Sequence, residues 1–208
     1  MANKKTREER IRAEREKKFA DKVGKLKVFP IIGAASALVT AVLFFLNWGY
    51  IYNTDIAGNE VSFTGYNIIS AAISGKFTEA ADAFGDIAVP FFYYAPEYVK
   101  ALAVLSSLAL AASILAVTAN VISLAYKKPA IDLAAAILHV VCAALLAACF
   151  AVALSMKNSN ILPVYCSGNP ACSIGSLAII PAITALCGAV AAFMKMFAYR
   201  RIAAEFGE

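Results

Sequence analysis

Apolar residues in this chain gather into four long blocks, at Val28–Tyr52, Val99–Tyr126, Ala130–Met156 and Ile174–Ala198. Each block is 25 to 28 residues long. A helix needs about 20 residues to cross the hydrocarbon of a bilayer. Lipid is therefore the solvent in which the chain is read. The pattern predicts an all-α membrane protein, a four-transmembrane-helix bundle. Its spans are expected at 28–52, 98–126, 130–156 and 174–198.

The segments between the blocks differ from one another. Residues 1–27 are expected to form a basic charged helix. Thr6 with Glu9 makes a capping-box pattern, and Glu8 with Arg12 and Glu14 with Lys18 have the favourable i,i+4 order. Segment 53–97 is too long for a plain connection. Tyr50–Ile56 and Val61–Phe63 are rich in β-branched and aromatic residues around the turn Ala57-Gly58-Asn59-Glu60. Ile68, Ile69, Ala72 and Ile73 then share a helical face, and Phe77, Ala80, Ala81 and Phe84 suggest a second short helix. The expectation is a small extracellular cap, a short β-hairpin plus short helices, lying on the outer membrane face. Residues 127–129 are a turn, 157–173 a short outer loop and 199–208 a tail.

Charge sets the expected orientation. Residues 1–27 hold eleven Lys/Arg against five Asp/Glu, a net of +6, while the whole chain carries +5. The other Lys/Arg-bearing segments are the turn Lys127-Lys128-Pro129 and the tail with Lys195, Arg200 and Arg201. Four crossings place all three on one side, and the positive-inside rule makes that side the cytoplasm. N-in/C-in in the cell membrane is the expected topology. Trp48, Tyr50, Tyr52, Tyr126 and Tyr199 fall at the block ends, where amphipathic rings meet headgroups. The first apolar block is too long for a cleaved leader and reads as a retained helix.

Hydrophobic residues make up 61% of the chain and charged residues 16%. A soluble domain has roughly 45–50% and 25%. The basic excess belongs to a juxtamembrane segment, which fits anionic lipid headgroups and not nucleic acid, because no folded domain carries it. The expected partners are the bilayer and a membrane protein or a second copy.

The candidate chemistry is sparse. Cys166 and Cys172 flank the turn Gly168-Asn169-Pro170, so a disulfide in the second outer loop is expected on the oxidising side. Cys142, Cys149 and Cys187 lie inside spans, where a free thiol packs as a small hydrophobe. His139 is the sole histidine. Counting outward from the 127–129 turn, Asn120 and His139 both sit roughly 10 Å deep at 1.5 Å rise per residue. They are expected to hydrogen-bond across the hairpin, since a polar group in lipid needs a partner. Two readings of this pair stand side by side: a bond that sets helix register, or a proton or ion site. Asp132, on nearly the same face as His139, reads as a carboxylate favoured by the helix N-terminus. Lys195 reads as an anchor that snorkels to the interface. Pro181 is placed to kink the fourth span.

Small residues recur at four-residue spacing at Gly33, Ala37 and Ala41, and at Gly188 with Ala192. Such spacing lets helix backbones approach closely, so a tight bundle without a wide pore is expected. The layout resembles that of claudin-type tetraspan proteins, with a long first outer loop and a short second one bearing cysteines. The residues depart from that pattern, because Trp48-Gly49-Tyr50 stands alone and 53–97 holds no cysteine. No family or functional residue is carried over.

No G-x-S-x-G or H-E-x-x-H spacing occurs, and no metal or cofactor motif is expected. The sequence reading is a non-enzymatic interaction or accessory subunit that uses the outer cap and the basic N-terminal helix. The alternative is a small transporter or channel component with a polar site at Asn120, His139 and Asp132.

Overall fold

The computed structural model describes residues 2–52, 60–73, 96–126, 128–158, 172–174 and 179–207. Its helices are α1 (Ala2–Lys25), α2 (Val28–Leu43), α3 (Gly65–Ile73), α4 (Pro96–Ala125), α5 (Pro129–Asn158) and α6 (Ile180–Phe206). Three short strands, β1 (Asn47–Tyr52), β2 (Glu60–Thr64) and β3 (Cys172–Ile174), form an antiparallel sheet in the order β2-β1-β3. Four helical stretches are long and apolar enough to cross a membrane: Arg7–Leu43, Lys100–Ala125, Pro129–Ser155 and Ile180–Phe206. The chain fits a multi-pass membrane protein in a lipid environment.

The four spans form a ring. Going around it, α2 packs on α4, α4 on α5, α5 on α6 and α6 back on α2. Its centre is made of small side chains, among them Ala37, Ala109, Ala116, Ala136, Ala185 and Ala189. Large apolar residues such as Leu38, Leu108, Ile137 and Phe197 point outward. This inverts the pattern of a water-soluble bundle. Lipid solvates Leu and Ile as well as a core does, so close backbone approach over small residues holds the helices together instead.

The first span stops at Leu43, short of the expected Tyr52. Phe44, Phe45 and Leu46 tighten into i→i+3 turns, and Asn47–Tyr52 is claimed by the sheet. The Trp48 indole donates at 2.9 Å to the Leu43 carbonyl, which also accepts the Leu46 amide, and so ties the strand back to the helix end. The Tyr66 amide donates to Phe44 O, and α3 packs against α4 over Phe44, Trp48, Ile68 and Ile69. A side chain at Gly65 would meet the Trp48 ring at 2.6 Å, so only glycine admits this approach. The turn 53–59 and the second short helix expected near Phe77–Phe84 lie outside the described residues.

Between α1 and α2 the chain stays helical through i→i+3 bonds at Leu26, Lys27 and Phe29. Pro30 has no N–H to give and fits this tighter turn. Helix α1 therefore runs on beside the end of α6. Phe19 packs edge-on against Tyr199 and Phe206, and Lys22 bonds Glu205 at 2.6 Å. Those contacts carry α6 to Phe206, beyond its expected end at Ala198, where Gly207 closes it at φ 73°. The α1 residues 7–18 are exposed all round. Arg12–Glu16 and Glu14–Lys18 pairs lace this stretch in the i,i+4 order that supports a helix in water. Lys18 holds the Glu14 carboxyl below the usual carboxylate range, first through a hydrogen bond and then through its charge.

Proline opens three spans: Pro96 begins α4, Pro129 begins α5, and Pro181 lies in the first turn of α6. The missing N–H costs nothing at these positions. The expected kink at Pro181 is thus corrected, because its helix begins at Ile180 and not at Ile174.

Candidate functional site

Polar side chains form a ladder through the middle of the ring. On α4 they recur at Ser106, Ser113, Asn120 and Ser123, and on α5 at Asp132, His139, Cys142 and Cys149. The two helices pack antiparallel, so polar positions met going down one come beside positions met going up the other. Ser123 meets Asp132, Asn120 meets His139, the Ala109 carbonyl meets Cys142, and Ser106 meets Cys149.

The first rung is a buried ion pair. Lys195 of α6 reaches Asp132 Oδ1 at 2.8 Å, with side-chain exposures of 7% and 3%. The same ammonium donates to the Ser123 carbonyl at 3.0 Å and to Ser123 Oγ. The Ser123 hydroxyl in turn donates to Asp132 Oδ1. All three ammonium protons are thus used, and α4, α5 and α6 are clasped at one point. The expectation that Lys195 snorkels to the interface is corrected. A carboxylate and a serine at its own depth satisfy the ammonium without extending the stem. Asp132 remains in the first turn of α5, but its chief partner is Lys195 and not the helix dipole.

The second rung lies two turns further along α5 and three residues further along α4, and it involves all four spans. Asn120 Nδ2 donates to the Ala116 carbonyl at 2.8 Å and lies 3.1 Å from His139 Nε2. The carbonyl identifies the amide nitrogen, so Nε2 accepts and the imidazole proton sits on Nδ1. Gly33 of α2 presses on the Asn120 amide, and Gly188 of α6 presses on the His139 ring. A methyl group at either glycine would overlap the side chain opposite. The backbones of α2 and α6 are therefore in direct contact with the rung on two sides.

Hydroxyls bind α2 to its neighbours. Ser113 Oγ donates to the Ala37 carbonyl at 2.7 Å. Thr40 Oγ1 and Thr184 Oγ1 lie 2.7 Å apart, and their other partners are the Ser36 and Pro181 carbonyls. Two protons serve three contacts, so one hydroxyl donates to the other while the second donates to its carbonyl.

Further along, Cys142 Sγ donates to Ala109 O at 3.3 Å, and Cys149 Sγ lies 3.6 Å from Ser106 Oγ. Both thiols are free and buried. The expected Cys166–Cys172 bridge falls on residues outside the described ones, of which only the Cys172 backbone, in β3, is part.

Among the described residues no buried side-chain N or O atom lacks a hydrogen-bond partner, and no group of His, Cys, Asp and Glu is placed to hold a metal ion. The structure brings Asn120 and His139 together as a pair. It places Asp132 about 10 Å from them along α5, by seven residues of helical rise, in a separate rung with Lys195 and Ser123. Chemically, the ladder can pin helix register and neutralise a charge pair. No protein family matches the chain, and no curated protein or solved structure is similar to it.

Proposed function

We propose that this protein is a non-enzymatic interaction or accessory subunit of a membrane complex. In this reading it sits in the cell membrane with both termini in the cytoplasm. Its strands and α3 form an outer cap, tied by a Cys166–Cys172 disulfide. The observation that carries the reading is the second rung, where Gly33 and Gly188 close directly on Asn120 and His139. An interior filled in this way supports the helices and leaves the outside of the molecule to make contacts. The exposed length of α1, from Arg7 to Lys18, is the contact surface at the inner end.

Affinity purification of the full chain from its native membrane, beside a variant lacking residues 2–18, tests this reading. A defined partner set should be recovered with the full chain and lost or depleted with the variant. An identical set from both would remove α1 as the contact surface, and no reproducible partner from either would contradict the accessory role.

The alternative is a small transporter or channel component. What favours it is the Lys195–Asp132 pair, because ionisable groups inside a membrane often mark transport sites. Its path would have to pass the Asn120–His139 rung, on which Gly33 and Gly188 close.

A further inference from the structure

We propose that Lys25, Lys27, Lys128, Arg200 and Arg201 form a belt that binds the headgroups of anionic glycerophospholipids. The belt is distinct from the protein contacts proposed above and does not depend on them.

All five side chains are exposed. They come from three separate junctions: the α1–α2 joint, the α4–α5 turn and the exit of α6. Helix register puts them at one level. The Thr40–Thr184 and Lys22–Glu205 contacts fix α1–α2 against α6, which places Lys27 opposite Arg200 and Lys25 within a turn of it. The Lys195–Asp132 contact fixes α5 against α6. Lys128 lies about one turn beyond Asp132 and therefore comes level with Tyr199.

Of the carboxylates near the belt, Asp21 lies one turn before Lys25 on α1 without an ion pair among the described residues, and the other two are engaged elsewhere. Asp132 is held by Lys195, and Glu205 by Lys22. None of the five cations makes an ion pair among the described residues. Directly beneath them the outer surface turns apolar, with Val28, Ile31 and Ile32 on α2, Ile122 on α4, and Met194 and Phe197 on α6 all exposed.

A ring of unpaired cations above a lipid-facing apolar wall has the chemistry of one kind of ligand: an anionic headgroup carrying acyl chains. Soluble phosphates match the charge and leave the wall unused. Nucleic acid matches the charge and would have to lie along the bilayer surface against apolar residues.

The test uses the full chain in lipid nanodiscs, of phosphatidylcholine alone or of phosphatidylcholine with phosphatidylglycerol. The readouts are the unfolding midpoint and the phosphatidylglycerol retained per chain in native mass spectrometry. Wild type should melt higher with phosphatidylglycerol and retain it after delipidation. The variant with all five cations changed to Gln should keep the wild-type midpoint in phosphatidylcholine, lose the phosphatidylglycerol-dependent rise, and retain at least about tenfold less of that lipid. Should that variant fold poorly, the pairs Lys25→Gln/Lys27→Gln and Arg200→Gln/Arg201→Gln should each remove part of the rise. Glycerol phosphate added to the phosphatidylcholine discs should raise nothing. The proposal is overturned if wild type shows no rise, if the Gln variants keep it in full, or if glycerol phosphate reproduces it.

Discussion

Lys195→Met is expected to cost the bundle about 3–5 kcal/mol of stability, the penalty for stranding a buried carboxylate. In the native protein Asp132 is 3% exposed and depends on the Lys195 ammonium and the Ser123 hydroxyl. Removing the cation leaves a charge in a medium that does not solvate it. Asp132→Ala should be similarly damaging, because it leaves the ammonium with only Ser123. The double variant Asp132→Ala/Lys195→Met should recover most of the loss and return to within about 2 kcal/mol of wild type, since a buried pair contributes little net stability over apolar groups. Equilibrium unfolding in mild detergent measures all three. The strong coupling is the specific claim, and additive losses would show that Lys195 and Asp132 act separately.

Gly188→Ala should cost about 1–3 kcal/mol, the usual range for overpacking a filled core. The added methyl group meets the imidazole of His139, not a mobile chain end. The ring cannot swing aside freely, because Nε2 is tied to Asn120 and Asn120 to Ala116. In a His139→Ala background the same substitution should cost far less, since the ring it collides with is gone. Gly33→Ala should behave in the same way toward Asn120. Thermal midpoints of the single and double variants give the coupling directly.

Much of this arrangement can be read from residue order. Block length alone marks four spans, because lipid imposes a length that no other solvent does. Comparable depth from the 127–129 turn pairs Asn120 with His139, and they lie 3.1 Å apart. Applied to every polar position, the same counting would also have matched Ser123 with Asp132 and Ser106 with Cys149. Lys195 was harder to place. A lysine six residues short of Arg201 looks like a snorkelling anchor until a second helix is known to bring a carboxylate to its depth. That requires the register of α5 on α6, and the connection 159–179 between them is too long to set it. The end of the first span was hidden for a related reason. Asn47–Tyr52 is apolar enough to prolong a helix; the turn signal at 57–60 marks its pairing with the nearby β2, but its other partner, Cys172–Ile174, lies far along the chain. Local hydrophobicity carries no trace of such a partner.

Ion flux across vesicles reconstituted with the purified full chain tests most directly whether the interior ladder is structural. With proton or cation gradients imposed across the membrane, the account predicts rates equal to those of protein-free vesicles, for wild type and for His139→Gln alike. A flux in wild type that His139→Gln or Lys195→Met abolishes, in variants shown to be folded, would contradict it and make the ladder a path.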